Sequence, residues 1–405
     1  MEALIRPARA DEMAQYGAIA AYVYAGRYGD TPDNLVSRST HPDWTLCAFV
    51  DGRMVTTFAT IPFTVRLNGM AAKLGGVSGI GTLPEWRRAG LVRQIMHRAI
   101  ADMRDRGQSV AALWASQAAI YQRFGFALGA QMVRYTLDPR DIRFAGQRKA
   151  SGMCRRHSLD EGFPIIRQVY IDFVSARTCY LHRSRALWNN NTLEERAAEG
   201  PIHLAVAYDT QQRPQGYMVY TMRFDKVADA ARPHEMIIRD LAWLTQDAYL
   251  SLWEFVTRHD LVGRVRHDTA PLDDPAPELF EEPRMLYPHI TEGIWMRIID
   301  VAQALQARGY TTAGHLVLEI VEDDMAEWNT NVFNLETDGE TAQVTRTTDE
   351  PDIRLSIKAL ASLYSGFRTA QTLANWGLLA GSRHGIETAN HLFRTLYLPH
   401  CPDNF

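Results

Sequence analysis

A chain of 405 residues is longer than one hydrophobic core usually organises, so two or three domains are expected. Forty-three basic against forty-seven acidic residues leave a net charge of −4, with no long run of one sign. That disfavours nucleic acid as the main partner, since nucleic-acid-binding domains carry a clustered basic footprint. No uncharged apolar run approaches the ~18 residues a membrane span needs. Residues 1–6 show no basic stretch leading into an apolar core, and Cys47, Cys154, Cys179 and Cys401 stand far apart. The expectation is a soluble cytoplasmic protein in a reducing compartment, with no membrane partner.

In chain order, residues 3–6 read as a short strand, and a helix begins at Asp11 and runs past Tyr22. The apolar, β-rich runs 45–50 and 54–61 flank Asp51-Gly52-Arg53, a hairpin turn. A second hairpin is expected at Asn68-Gly69, the strongest short-range turn signal. A helix follows over 88–106, with Val92, Ile95, Met96, Ala99 and Met103 on one face and Gly107 after its last turn. A buried strand over 110–114, a short helix over 118–124 and a strand over 132–137 complete a mixed α+β layer.

Residues 150–285 repeat that flavour: helices over 163–174 and 178–187, a hairpin from 204–208 and 216–221, a strand over 237–244 and a helix over 246–259. The acidic, proline-bearing run 273–278 reads as a solvated linker. Beyond it, 295–305, 357–363 and 369–379 read as helices and 315–321 and 331–336 as strands. The domains are expected at 1–145, 146–284 and 285–405.

The chemistry concentrates early. Val77-Ser78-Gly79-Ile80-Gly81-Thr82 is a strand, Leu83-Pro84-Glu85-Trp86 a turn, and Arg87-Arg88-Ala89-Gly90-Leu91-Val92-Arg93 the opening of an amphipathic helix. A helix start offers free N–H groups and the positive end of the dipole, which suits a pyrophosphate. Gly90 permits close approach, and the arginines add positive charge. Two competing motifs fail here: Ile80 stands where G-x-S-x-G needs its second glycine, and Pro84 breaks G-x-G-x-x-G.

Downstream, the strand at 110–114 leads into Ala115-Ser116-Gln117 and then Ile120-Tyr121-Gln122-Arg123-Phe124-Gly125-Phe126. R-x-x-G on one helix, then a strand, then Y-x-x-x-G-F resembles the layout of the GNAT acetyltransferase superfamily. Ser116, Ala119-Ile120-Tyr121, Arg123-Phe124-Gly125 and Trp295-Met296-Arg297-Ile298-Ile299-Asp300-Val301 together resemble the enhanced intracellular survival (Eis) family over essentially the whole chain. The resemblance implies an α+β chain: two tandem GNAT-like mixed sheets with helices, the second degenerate, then a sterol-carrier-protein-like α/β domain. It implies an N-acetyltransferase using acetyl-CoA as co-substrate on amines, best known in the family on aminoglycosides, and a homo-hexamer.

Carried over by residue, the resemblance implies a donor site of Ile80, Gly81 and Thr82 on a splayed strand, with Arg88, Ala89, Gly90, Leu91, Val92 and Arg93 on the loop and helix, and Ser116 and Gln117. It implies Tyr121 as general acid and the Phe405 carboxylate as general base. Val92, Trp114, Gln117 and Asn404 depart from residues common in the family; the last three bear on the acceptor side. The acceptor is therefore expected to be an amine of unassigned identity; Asp30 and Asp33, in a polar loop after the first helix, read first as solvated and second as an attraction for cationic amines.

No metal is expected. The C-x2-H pairs Cys154–His157 and Cys179–His182 resemble no zinc module. The second domain has Asp247 and no glycine or arginine at its corresponding helix start, so it is expected to bind no CoA. A rival class, a non-catalytic acyl-CoA or lipid carrier, is separated by whether the chain releases free thiol from acetyl-CoA.

Overall fold

The structure, a computed structural model, describes residues 3–26, 39–147 and 150–405. Asp30 and Asp33 lie outside the described residues. The chain divides into two compact units: one of residues 1–129, 294–395 and 405, the other of residues 130–293 and 396–404.

The first unit holds a seven-stranded sheet in the order Leu4–Arg6, Cys47–Val50, Arg53–Leu67, Met70–Thr82, Val110–Leu113, Trp295–Ile298 and Ala127–Leu128. Hairpin turns form at Asp51-Gly52 and Asn68-Gly69, as their turn chemistry demands. Helix Leu91–Asp105 buries Leu91, Ile95, Met96, Ala99, Ile100 and Met103. That stripe at helical spacing packs with Val55, Phe58, Val77 and Ala111 of the sheet.

The expected helix over 295–305 is corrected. Trp295–Ile298 is a strand, paired with Val110–Leu113 and Ala127–Leu128, and the helix is Val301–Ala307. Asp300 starts that helix by accepting from the Gln303 amide at 3.0 Å. The four residues before it are buried throughout, so their apolar run satisfied a helix and a central strand alike.

The same unit carries a five-stranded sheet in the order Ala342–Arg346, Val332–Thr337, Gly314–Ile320, Ile353–Leu355 and Leu379–Gly381. The last expected helix is shorter than its pattern, Ala370–Asn375, and the residues after it enter the sheet.

The second unit repeats the first sheet's plan. Its order is His289–Glu292, Gln131–Leu137, Val262–Pro271, His234–Trp243, Pro214–Arg223, Ile202–Tyr208 and Met153–His157. Helix Gln246–Thr257 crosses between the parallel strands His234–Trp243 and Val262–Pro271, as helix Leu91–Asp105 crosses between Met70–Thr82 and Val110–Leu113. Helices Leu159–Val174 and Gln246–Thr257 cover opposite faces, the former on Tyr217 and Val219, the latter on Met218 and Tyr220.

Two expectations fail in this unit. Cys179 has φ 69°, which no helix tolerates, so the helix starts later, at Arg185–Asn190, capped by Ser184. The run 273–278 is no solvated linker. Asp274 is buried, accepts from the Tyr249 hydroxyl at 2.7 Å and from the Ala276 amide at 3.0 Å, and opens the short helix Ala276–Leu279. Residues 396–404 are tied down by the Leu398 amide on Asp273, by the His400 amide on the Thr178 carbonyl, and by the buried Arg183–Asp403 ion pair. Among the described residues no helix is long and apolar enough to cross a membrane.

Candidate active site

The site begins where the parallel ladder between two central strands ends. The parallel ladder between Met70–Thr82 and Val110–Leu113 runs from Leu74↔Val110 to Gly76↔Ala112. Beyond Gly76 the strand keeps its antiparallel partner on the other side, with a register shift between Thr57 and Ala59. Gly79 and Ile80 there face the single residue Phe58, a bulge that re-aims the strand. The Thr57 hydroxyl donates to the Gly79 carbonyl at 2.7 Å, and Tyr24 donates to the Ile80 carbonyl at 2.9 Å. Ile80 and Thr82 are half-buried and Gly81 is buried.

The strand passes through Pro84–Trp86 into the helix start. Arg87 pins the loop by donating from Nε to the Thr82 carbonyl at 3.0 Å. Arg88, Ala89, Gly90 and Arg93 are exposed, Val92 is half-buried and Leu91 is buried. Gly90 is the N-cap at φ 80°, and no side chain caps the helix. Among the described residues a Cβ built on Gly90 meets nothing within 4 Å, and an uncapped helix start of this kind suits a bound phosphate. The corresponding turn of the second unit is closed upon itself: Thr245 accepts from the Ala248 amide at 3.2 Å, and Asp247 accepts from the Ser151 amide at 2.8 Å.

Ser116 and Gln117 are exposed and lead into helix Ala118–Gln122, which carries Tyr121, 5% exposed. Tyr121 belongs to the same buried cluster as Val77 and Leu113, the first residues past the last strand pair, and lies edge-on against Phe126. Burial raises the Tyr121 pKa above the ordinary phenol value, while a hydrogen bond with Ser116 opposes the shift. The ring of Phe405 lies 4.9 Å from that of Phe63. A Cβ on Gly76 would come within 3.0 Å of the Phe405 ring and 2.4 Å of the Phe63 ring. Only glycine at the last rung of the ladder leaves both rings room.

The structure thus gathers the sequence-predicted residues around one strand divergence: 80–82 on its bulged side, 88–93 at the helix start, 116–121 beyond the other strand, and Phe405 at Gly76. Sequence reasoning missed Phe63, Gly76 and Arg297. The Gly75-Gly76 pair in a strand was an available signal of close approach. Arginine inside the apolar run 295–299 was another, because a buried charge demands a partner.

A mixed sheet bulged in one central strand, which runs on past the end of its parallel ladder into a crossover helix without a side-chain cap, defines a GNAT-type acetyltransferase. The acetyltransferase (GNAT) domain family matches residues 4–129 and 179–298, and the sterol carrier protein domain family matches 301–402. The N-acetyltransferase Eis of Mycobacterium tuberculosis is 31% identical over 311 residues, covering 74% of this chain and 72% of that protein. An uncharacterized N-acetyltransferase of Streptomyces griseus is 28% identical over 386 residues, 88% of each chain. The crystal structure of Eis1 from Mycobacterium abscessus superposes with a TM-score of 0.86 at 26% identity, covering 99% of this chain and 100% of that one. A GCN5-related N-acetyltransferase from Anabaena variabilis shares the fold at a TM-score of 0.88, 21% identity and full coverage of both chains. The chain belongs to the Eis family of GNAT N-acetyltransferases.

Proposed function

We propose that this N-acetyltransferase moves an acetyl group from acetyl-CoA to a primary amine, such as an aminoglycoside, a polyamine or a lysine side chain, by direct attack. The observation that carries the reading is Tyr121, buried in the core cluster that holds Val77 and Leu113, the residues just past the end of the parallel ladder. Ile80, Gly81 and Thr82 hold the pantetheine arm on the parted strand. Arg88, Ala89, Gly90, Leu91, Val92 and Arg93 hold the pyrophosphate, and Ser116 and Gln117 complete the donor site. The open space before Gly90 supports that assignment, and the self-capped helix start at Thr245 supports one donor site per chain.

The chemistry suits these residues without a metal. An amine arrives as ammonium, with a pKa around 10, and must lose a proton before attack. The Phe405 carboxylate, partly desolvated, takes that proton directly or through water. Tyr121 protonates the departing thiolate; its raised pKa keeps it in the donating form at neutral pH. A hexamer of this chain completes the reading on the strength of the family resemblance, and the chain's widely spaced cysteines suit the cytoplasm.

The test is release of free thiol from acetyl-CoA across a panel of aminoglycosides, polyamines and lysine peptides. Thiol release without any acetylated amine product, or none with any member, would count against the proposal.

A further inference from the structure

We infer that Arg297 is a positioning residue for the reaction, fixing the helix that carries Tyr121; the inference rests on the reading of Tyr121 as the acid. Helix Ala118–Gln122 spans five residues and has no side-chain cap at Gln117. A helix that short has no independent stability, so its place is set from outside. Arg297, fully buried on strand Trp295–Ile298, donates from Nη1 to the carbonyl of Phe124, two residues past the end of that helix. Its Nη2 donates to both oxygens of Asp323, at 2.6 and 2.8 Å. Asp323 is held in turn by the Asn329 amide group at 3.0 Å and by the Met325 backbone amide at 3.2 Å. The guanidinium is therefore fixed at its far end before it touches the tyrosine helix.

Gly125 is the complement of this arginine. It has φ 80°, and a Cβ there would sit 1.8 Å from Arg297 Nη1. Only a residue without a side chain lets the guanidinium reach Phe124. The Phe126 amide closes back on the Tyr121 carbonyl at 3.3 Å, so the bracket ends on the residue it positions. Lysine cannot replace the arginine: one ammonium cannot donate in a fixed fork to Asp323 while reaching the Phe124 carbonyl.

The experiment is a kinetic double-mutant cycle in the full-length chain. Arg297→Lys should lower kcat about 10–100-fold, the scale of a catalytic group misplaced by ~1 Å, with the KM for acetyl-CoA held within about twofold. In a Tyr121→Phe background the same substitution should cost less than about threefold more, because the group it positions is gone. If Arg297→Lys fails to fold, Arg297→Met with Asp323→Leu removes the charge pair without stranding a buried carboxylate, and the same cycle is run on it. Losses that multiply in the cycle, or a folded variant with wild-type kcat, overturn the positioning role while leaving Tyr121 as the acid. A wild-type rate in Tyr121→Phe alone overturns the acid, and the positioning role with it.

Discussion

The rings of Phe405 and Phe63 meet at 4.9 Å between centroids and 54° between planes, over a glycine at the last rung of the parallel ladder. That contact anchors the residue whose carboxylate is proposed as the base. Extending the chain by a few residues past Phe405 keeps the ring and turns the carboxylate into a neutral amide. The expected result is a kcat lower by about 10²–10⁴, the usual worth of a general base, with acetyl-CoA affinity unchanged. Phe63→Ala should loosen the ring and lower kcat by a smaller factor. Full activity in the extended protein removes the carboxylate from the chemistry.

Tyr121→Phe removes the hydroxyl proposed to protonate the thiolate, with its hydrogen bond to Ser116, while the ring still fills its place beside Phe126. kcat should fall by about 10²–10⁴ while KM for acetyl-CoA holds. Because burial raises the Tyr121 pKa, the wild-type rate should show no loss of this acid until the pH passes the ordinary phenol value of about 10. An alkaline limb centred well below that value in kcat would assign the acid to another group.

Gly90→Val separates fold from binding. Among the described residues nothing lies within 4 Å of a Cβ at Gly90, so the cost to the fold is the left-handed backbone, about 1–2 kcal/mol. The branched side chain would stand over the amides proposed to hold pyrophosphate, and acetyl-CoA affinity should drop by about tenfold or more, as expected for losing hydrogen bonds to a charged group. Arg88→Glu should weaken the donor by a similar factor with little change in thermal midpoint. Calorimetry giving wild-type affinity for both variants would move the pyrophosphate elsewhere.

Asp274 makes a prediction about pH. Burial is the largest cause of its shift, from the ordinary 3.8 up to about 6. Between those values the folded state holds a proton that the unfolded chain has lost. The stabilisation is therefore complete below about pH 4 and is lost as pH rises through 6, a swing on the order of 2–3 kcal/mol. His267, pushed down to about 4 by its own burial, works in the opposite sense over the same window, since there the unfolded chain binds the extra proton. The clean measurement is thus the difference between wild type and Asp274→Asn in chemical denaturation from pH 4 to 8. Wild type should lose stability relative to the asparagine variant as the pH rises; a flat difference would mean that Asp274 titrates normally.

Part of the candidate site was legible in the sequence. The strand–turn–helix around Gly90 announces itself through turn residues, helical spacing and glycine placement, each acting over a few residues, whereas the roles of Tyr121 and Phe405 came from the family resemblance. The hairpins at Asp51-Gly52 and Asn68-Gly69 were legible in the same local way. These features are set by backbone sterics and short-range periodicity, which a single chain carries in full.

What tertiary structure decided lies in pairs far apart in the chain. Residues 295–298 became a strand because Val110–Leu113 and Ala127–Leu128 offered two free edges, a fact no window around Trp295 contains. Asp274 went inside because Tyr249 met it there, and Gly125 is bound to its place by Arg297, more than 170 residues onward. Phe405 reached Gly76 and Phe63 across most of the chain's length. Local propensity fixes which conformations are cheap, whereas burial and pairing depend on which distant surfaces meet; the amphipathic segments are therefore readable in sequence, and the partners of its buried charges and its last ring are not.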